Sequence, residues 1–224
     1  MRGKGSGRLQ KRVERVGKRG YNKNTAAQCW DCCGISILGR NSEVKLTEKT
    51  LQKNYVYQGK IVNLRRDDAE LENGRQVLRE VVEHPGGVCV AALNDRDEMI
   101  FVRQFRYPYS KVVLEIPAGK LERGEDPFEA MKREQMEETG TSADKYIFLG
   151  ELYPTPGYSD EIIRIWACRI SKCGKAMPDE GEFLETEYLP LKTATEMVLR
   201  NEIPDAKTQV AILKTSCLVE AGQL

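Results

Sequence analysis

Histidine is nearly absent from this sequence, since His84 is the only one among 224 residues. Cysteine is more frequent, and the segment CWDCC places Cys29, Cys32 and Cys33 together, with a C-x-x-C spacing that can form half of a zinc site. The other half is missing, because the next cysteine is Cys89 and there is no second histidine. We therefore expect neither a zinc site nor redox chemistry at this cluster.

Long apolar runs are absent as well. None approaches the roughly 20 residues that span a bilayer, and the N-terminus lacks the apolar segment that a secretory signal needs. The cysteine count of seven is odd, which together with the missing signal makes reduced thiols the simplest account. We expect a cytoplasmic globular protein without membrane contact, since the chain is long enough to bury a real core.

The net charge of +1 conceals two different parts of the chain. Residues 1–40 hold ten Lys and Arg and two acids, a balance of +8, which leaves 25 basic and 32 acidic residues in 41–224, a balance of −7. The first part has too little apolar content to offset its ordering entropy, so we expect residues 1–41 to be a disordered basic extension.

A nucleic-acid-binding arm is the alternative interpretation of this extension. Basic blocks are weak evidence for such an arm when no binding module lies beside them. We therefore expect a solvated tail, or a start codon assigned too far upstream, and no nucleic-acid partner.

Residues 42–83 are predicted to form a small antiparallel sheet. The segment NYVYQGKIVNLRRDDAELENGRQVLREVVEH offers extended pieces separated by QGK and by Asn73-Gly74, a dipeptide that suits the positive φ angles of a tight hairpin turn. Further strands are predicted in GVCVAALNDRDEMIFVRQF, YIFLGELY, EIIRIWACRI and EFLETEYLP. KTATEMVLRNE and DAKTQVAILKTSCLVEAG instead place apolar residues three and four apart, as helices do. The sequence therefore predicts an α+β fold with a mixed sheet and a few helices.

One further helix is indicated by local signals in GEDPFEAMKREQMEETGT. Asp126 suits the N-cap, Pro127 suits the first helical position because its missing N–H costs nothing there, and Glu129 suits a capping box. Gly140 can take the left-handed conformation that closes a helix. The helix is therefore predicted from about Pro127 to about Thr139.

Glu134 and Glu138 lie one turn apart on the same side of this helix, where they repel each other unless a cation lies between them. A solvated helix face is the alternative, since most charge runs are solvated. The preceding EIPAG favours a cation, because it predicts a strand that turns through Pro117 and Gly119 and brings carbonyls toward the glutamates. Carboxylates, a carbonyl and water suit Mg²⁺, which in turn binds substrate phosphates.

These residues resemble the Nudix box, a loop-helix-loop that binds divalent metals and hydrolyses nucleoside diphosphates linked to another group. The matching positions are Gly119, Glu125, Arg133, Glu134, Glu137, Glu138 and Gly140. The pattern expects bulky aliphatic residues at two further positions, which Gln135 and Thr141 occupy here. Because both are packing positions, the departures bear on local stability more than on chemistry.

The resemblance covers most of residues 42–224 through REVVEHPGGV, FVRQFRYP, LEIPAGKLERGE and TPGYSDE. These motifs are similar to the ADP-ribose pyrophosphatase branch, which is marked by a proline after the box, here Pro156. The resemblance implies a Nudix fold in which helices sandwich the mixed sheet, with residues 84–224 as the catalytic domain. It also implies hydrolysis of ADP-ribose to AMP and ribose 5-phosphate, with Mg²⁺ or Mn²⁺ as the cofactor.

The resemblance assigns roles around the metal. Arg133 is expected to orient Glu125 through a charge-assisted hydrogen bond. The implied metal ligands are the Ala118 carbonyl and the carboxylates of Glu134 and Glu138, with Glu137 as a candidate further ligand.

Pyrophosphate hydrolysis also needs a base that accepts the proton of the attacking water. His84 is at least as well suited to a structural role as to the role of this base. The resemblance points instead to the loop PDEGEFLE, in which Glu180 is expected as the base and Glu182 as a further metal ligand. A merely acidic surface loop is the alternative.

Substrate contacts are expected outside the box. Arg79 and Arg106 are candidates to bind the diphosphate or the terminal ribose, because a planar guanidinium makes bidentate phosphate contacts. In the same branch the loop TPGYSDE borders the ribose, so Ser159, Asp160 and Glu161 are expected to line it. Surface salt bridges and turn roles are the alternatives for all five.

Similar enzymes form swapped homodimers through an N-terminal sheet, so we expect a homodimer in which residues 42–83 serve both dimerisation and substrate binding. Two rival functions stay open. The substrate can be another nucleoside diphosphate sugar, because the box specifies pyrophosphate and metal but not both ends of the ligand. The other class is a catalytically silent Nudix-fold sensor or interaction protein, against which the complete set of box acids argues.

Overall fold

The structure is a computed structural model that describes residues 46–177, 181 and 183–224. The predictions for residues 1–41, for the CWDCC cluster and for Glu180 and Glu182 therefore lie outside the described residues. Within the described part, no helix is long and apolar enough to cross a membrane.

The predicted N-terminal antiparallel sheet is confirmed. Its strands are β1 (Glu48–Gln52), β2 (Tyr55–Gln58), β3 (Asn63–Leu71) and β4 (Gln76–Glu83). β4 pairs with β3 along nearly its whole length, and β1 and β2 share the other edge of β3. The sheet is thus organised around β3.

The turn between β3 and β4 differs from the expected two-residue hairpin. Gly74 has a φ of 80°, whereas Asn73 is not in the positive φ region. The Leu71 amide donates to the Arg75 carbonyl and the Gly74 amide donates to the Leu71 carbonyl, both across 2.9 Å. The loop is therefore three residues long, and only its last residue, the glycine, needs the left-handed conformation.

The large sheet is mixed, as predicted. The remaining strands in chain order are β5 (Gly87–Leu93), β6 (Glu98–Arg106), β7 (Lys111–Glu115), β8 (Ala118–Lys120), β9 (Thr141–Ser142), β10 (Tyr146–Leu152), β11 (Ile163–Arg169), β12 (Lys172–Cys173) and β13 (Leu184–Pro190). The order in the large sheet is β10-β11-β5-β6-β13, with β7 paired to β6 and β8 to β5. β11 runs parallel to β5, and the other described pairs are antiparallel. β9 and β12 form a separate ribbon.

Helices cover both faces of the large sheet, which confirms the predicted sandwich. They are α1 (Pro127–Thr139), α2 (Leu191–Leu199) and α3 (Ala206–Glu220). Every residue of β5 is buried, as expected for a strand between two helical layers. Neighbouring residues of a strand point to opposite faces, so Cys89 and Leu93 pack with residues of α2 and α3, whereas Val90 packs with Ala130 and Met131 of α1.

The ends of α1 lie where the local signals predict them. The Asp126 carboxylate accepts hydrogen bonds from the amides of Phe128 and Glu129, and Gly140 closes the helix with a φ of 66°. The capping-box role expected of Glu129 is wrong, because its carboxylate pairs with Lys132 across 2.6 Å. A side chain of opposite charge one turn away offers the carboxylate a partner on the exposed helix surface.

Candidate active site

A cleft of about 640 Å³ opens between α1, β5 and β8. Its walls bring together carboxylates and cations from distant parts of the chain, namely Glu134, Glu138, Arg106 and Lys207, beside the backbone of Ala118 and Gly119. An adjoining cavity of about 470 Å³ shares Arg106, Glu161 and Lys207 with it. A cleft with this mixture of charges suits a metal-bound polyanion.

The Ala118 carbonyl faces the glutamate side of the cleft. The Val90 amide donates to the Pro117 carbonyl across 3.0 Å, so the backbone of residue 117 is turned toward β5. In a strand, the backbone amide and carbonyl groups of successive residues point toward opposite edges. The Ala118 amide accordingly points away from β5 and donates to the Glu138 carboxylate across 2.9 Å. Because the amide and carbonyl of one strand residue share a side, the Ala118 carbonyl lies on the side that carries Glu138.

Gly119 makes room for the second carboxylate. A Cβ atom built at this position would lie 1.9 Å from the carboxyl carbon of Glu134. The Glu134 carboxylate therefore rests directly against the backbone of β8, next to the strand residue that contacts Glu138. The glycine of the box is needed for this close approach and not for an unusual backbone conformation.

Arg133 lies at the centre of three glutamates of the box. Its guanidinium donates to both oxygens of Glu125, across 3.0 and 3.2 Å, so the hydrogen bond expected between these residues is present. The same side chain contacts Glu137 across 2.8 Å and Glu134 across 2.9 Å. The hydrogen bond from Arg133 holds the pKa of Glu125 below its usual value. Glu125 thereby stays ionised and fixes the guanidinium that in turn contacts Glu134.

The donor set fits a magnesium ion. Within the described residues no three Asp, Glu, His or Cys side chains converge into a metal cage. Mg²⁺ does not require such a cage, because it is usually bound by one or two carboxylates, by water and by substrate phosphates. Glu134, Glu138 and the Ala118 carbonyl meet that requirement at the wall of the cleft. Glu137 is directed to Arg133 instead, so its expected role as a ligand stays a prediction.

Arg106 lines both cavities, as its predicted role in substrate binding requires. Its guanidinium makes a bidentate pair with Glu115, across 2.6 and 2.7 Å. Glu115 is buried and is also bound by Lys207, which in turn pairs with Asp205 across 3.1 Å. Burial acts to raise the pKa of Glu115, but the hydrogen bond from Arg106 and the charge of Lys207 outweigh it and leave the pKa below its usual value.

Arg79 is not part of this cleft in a single chain. It lies on β4 and makes a bidentate pair with Glu48 of β1, across 2.8 and 2.7 Å, with both side chains partly exposed. Its expected contact with the substrate therefore stays a prediction that needs more than the one chain described.

The loop TPGYSDE places only one of its three candidates at the cavities. Glu161 lines both of them. Asp160 accepts a hydrogen bond from the His84 amide across 2.8 Å, and Ser159 accepts one from the Glu161 amide across 3.2 Å. The Asp160 contact holds the loop to the residue that follows β4, whereas the Ser159 contact lies within the loop. The His84 ring has a structural contact as well, since its Nδ1 atom accepts from the Gly86 amide across 3.1 Å.

The residues at the cavities that sequence reasoning missed are Glu115 and Lys207. Glu115 lies in the motif LEIPAG, but its partner Lys207 is 92 positions away. A lysine in the first turn of a helix, beside an aspartate N-cap, reads as an ordinary solvated residue. No local signal in the sequence indicates that Lys207 is buried.

Known proteins resemble this chain over most of its length. The NUDIX domain profile matches residues 83–210, and the profile described as nucleoside diphosphate sugar hydrolase N-terminal domain matches residues 48–82. The chain is 41% identical to the ADP-ribose pyrophosphatase of Bacillus subtilis (strain 168), over 75% of this chain and 91% of that protein. It is 40% identical to the methanol dehydrogenase activator of Bacillus methanolicus, over 74% and 90% of the two chains.

Two further matches extend the comparison. The ADP-ribose pyrophosphatase of Mycobacterium tuberculosis is 34% identical over 74% of this chain and 81% of its own. A crystal structure of an ADP compounds hydrolase superposes with a TM-score of 0.69 at 22% identity, covering 80% of this chain and 97% of that one, which supports the fold. Because the NUDIX profile spans more than half of the sequence and these relatives align over most of their length, the chain belongs to the Nudix family.

Proposed function

We propose that this protein hydrolyses the pyrophosphate bond of ADP-ribose to AMP and ribose 5-phosphate with Mg²⁺ as cofactor, Mn²⁺ being able to replace it. The observation that carries the proposal is the pair Glu134 and Glu138, which meet the β8 strand at Ala118 and Gly119 inside a cleft that also holds Arg106. The relatives named ADP-ribose pyrophosphatase support the choice of substrate.

The side chains divide the work of the reaction. Glu134, Glu138 and the Ala118 carbonyl would hold the magnesium, which when bound neutralises phosphate charge and lowers the pKa of the attacking water. Arg133 keeps the Glu134 carboxylate in place while Glu125 fixes the guanidinium. Arg106, held by Glu115, presents cationic charge to the phosphates. Water then adds to one phosphorus atom as the bridging oxygen leaves with the other phosphate.

We assign Glu180 as the base that accepts the proton of this water, and Glu182 as a further metal ligand. Support comes from the described residues on either side. The Met177 amide donates to the Glu137 carbonyl across 2.8 Å, which ties the chain to α1 three residues before Glu180. On the other side, Leu184 pairs with Gln104, a residue of the cleft wall.

We further propose that the enzyme acts as a homodimer joined through the N-terminal sheet. β1 and β2 are exposed along their whole length, and this sheet leaves apolar side chains such as Val56, Ile61 and Leu78 more than half exposed. Covering them with a second copy would remove an apolar surface from water. A partner chain is also the simplest way for Arg79 to reach a substrate. A cytoplasmic location stays a prediction, which the unpaired cysteines of the described chain support.

The decisive experiment measures AMP release from ADP-ribose and from ADP-glucose with Mg²⁺. We expect ADP-ribose to be the better substrate, and Glu138→Gln to lose about 100-fold in activity through a weakened metal site. Glu129→Gln is the matched control, because it removes an exposed carboxylate from the same helix. Hydrolysis of neither compound, or a Glu138→Gln enzyme equal to wild type, would overturn the proposal. Better hydrolysis of ADP-glucose would favour the alternative sugar nucleotide activity.

A further inference from the structure

The turn between β7 and β8 is held by a different element at each of three consecutive positions. The Pro117 carbonyl accepts from Val90 of β5, and the Ala118 amide donates to Glu138 of α1. The third attachment is made by α3, because the Ile116 amide donates to the Thr208 hydroxyl across 3.0 Å. The residue whose carbonyl is the proposed metal ligand thus follows directly after two anchored residues.

The hydrogen bond between Ile116 and Thr208 is buried and joins distant parts of the chain. Ile116 and Thr208 are both fully buried, and they are 92 positions apart in the chain. A buried amide without a partner is costly, so the Ile116 amide needs the acceptor that Thr208 provides. Thr208 is itself fixed, since its amide donates to the N-cap carboxylate of Asp205 across 2.9 Å.

A second contact keeps α3 in register with β7. Lys207 binds Glu115, so that two consecutive residues of α3 hold the last residue of β7 and the residue that follows it. Sliding or rotation of α3 would break both contacts together. The position of Ile116, and with it the path of the backbone into Ala118, is therefore determined by the first turn of α3.

From these contacts we infer that Thr208 is a positioning residue of the metal site, which acts through Ile116 on the Ala118 carbonyl although it touches neither metal nor substrate. The inference rests on the proposed function, because it takes the Ala118 carbonyl as a metal ligand. A carbonyl ligand cannot change its rotamer as a side chain does. Its placement is set by the backbone on either side, and Thr208 is the only α3 hydroxyl that accepts from this turn in the described structure.

The test compares two buried threonines of the same helix by measuring Mn²⁺ affinity in the absence of substrate, with the free ion followed by electron paramagnetic resonance. Thr208→Val is expected to weaken Mn²⁺ binding about 10-fold or more, in the range seen when partners of metal ligands are removed. Thr208→Ser keeps the hydroxyl and is expected to bind as wild type does. Thr215→Val is the matched control, because Thr215 is fully buried but its hydroxyl has no hydrogen-bond partner among the described residues.

The outcomes separate this inference from the proposed function. If wild type binds Mn²⁺ and Thr208→Val binds it equally well, the inference fails while the proposed metal site stands. If wild type binds no Mn²⁺, both fail. Should Thr208→Val not fold, Thr208→Ala replaces it, with hydrogen exchange of the Ile116 amide as a second measurement. Exchange there must accelerate in the hydroxyl-free variant and not in Thr208→Ser, and equal rates in both would overturn the inference.

Discussion

Gln135 Nε2 donates a hydrogen bond to Thr141 Oγ1 across 3.1 Å, and both side chains are buried. These are the two positions at which the chain departs from the aliphatic residues of the Nudix box. Gln135 also donates to Cys168 Sγ across 3.7 Å and accepts from the Tyr146 hydroxyl across 2.9 Å, so both the nitrogen and the oxygen of its amide have partners. The two departures therefore compensate each other within one buried polar network.

Restoring one aliphatic residue alone should destabilise the protein. Gln135→Leu leaves the Tyr146 hydroxyl without its acceptor and removes the donor to Thr141. A buried polar group that loses its partner costs about 1–3 kcal/mol, so we expect the free energy of unfolding in urea to fall by about that amount. Thr141→Val should also destabilise, because it removes the acceptor for the Gln135 amide.

The double variant Gln135→Leu/Thr141→Val tests whether the two residues act as a pair. It restores the apolar pair of the family pattern, so its cost should be smaller than the sum of the single costs by about 1 kcal/mol or more. Unfolding energies that add would show that the two positions are independent and would contradict the network.

Features set by neighbouring residues could be predicted from the sequence. The ends of α1 follow from Asp126 and Gly140, which act on the helix through contacts within a few positions. The contact between Arg133 and Glu125 was predictable because the resemblance to the Nudix box implies it. Contacts between residues of one short segment determine these features, so they can be predicted from the sequence.

Features that depend on the folded chain were not predictable. The pairing of Gln135 with Thr141 requires the exact path of the chain after Gly140, and the burial of Lys207 requires α3 to dock on the end of β7. The location of Arg79 outside the cleft depends on the N-terminal sheet, in which the Arg79 side chain of β4 forms an ion pair with Glu48 of β1. Tertiary packing decides all three.

Gly119→Ala should damage the metal site more than the fold. The added Cβ atom would collide with the Glu134 carboxyl group at 1.9 Å, and the end of a flexible side chain can move away at little cost in stability. We expect Mn²⁺ affinity to fall about 10-fold or more, while the urea midpoint changes little. Gly157→Ala is the control, because an added Cβ there meets nothing within 4 Å. Unchanged Mn²⁺ affinity in Gly119→Ala would contradict the assigned position of Glu134.

Glu115 should make the stability of the protein depend on pH in the acid range. Its pKa in the folded state lies below the ordinary value of 4.5, so the carboxylate stabilises the fold above that pH and the stabilisation is lost as the pH falls through the lowered pKa. Glu115→Gln removes this contribution and leaves Lys207 with a weakened pair. We expect a loss of about 3 kcal/mol in unfolding free energy at pH 7.

The difference between wild type and Glu115→Gln should shrink as the pH falls below about 4.5, and urea unfolding at several pH values measures it. Glu129→Gln provides the comparison, because its exposed pair with Lys132 should contribute less than about 1 kcal/mol throughout. A gap between wild type and Glu115→Gln that stays constant down to pH 3 would show that Glu115 does not titrate as described.

The N-terminal sheet should determine the oligomeric state. We expect light scattering to give the mass of two 25.4 kDa chains for wild type, and Val56→Asp to give one chain, because a charge cannot be buried in an apolar interface without a partner. Leu199→Asp is the control, since Leu199 is at least as exposed as Val56 but lies on α2. A dimer that survives Val56→Asp would place the interface elsewhere. If Val56→Asp is monomeric and hydrolyses ADP-ribose as wild type does, the partner chain contributes nothing to the site, and Arg79 has no role in substrate binding through the dimer.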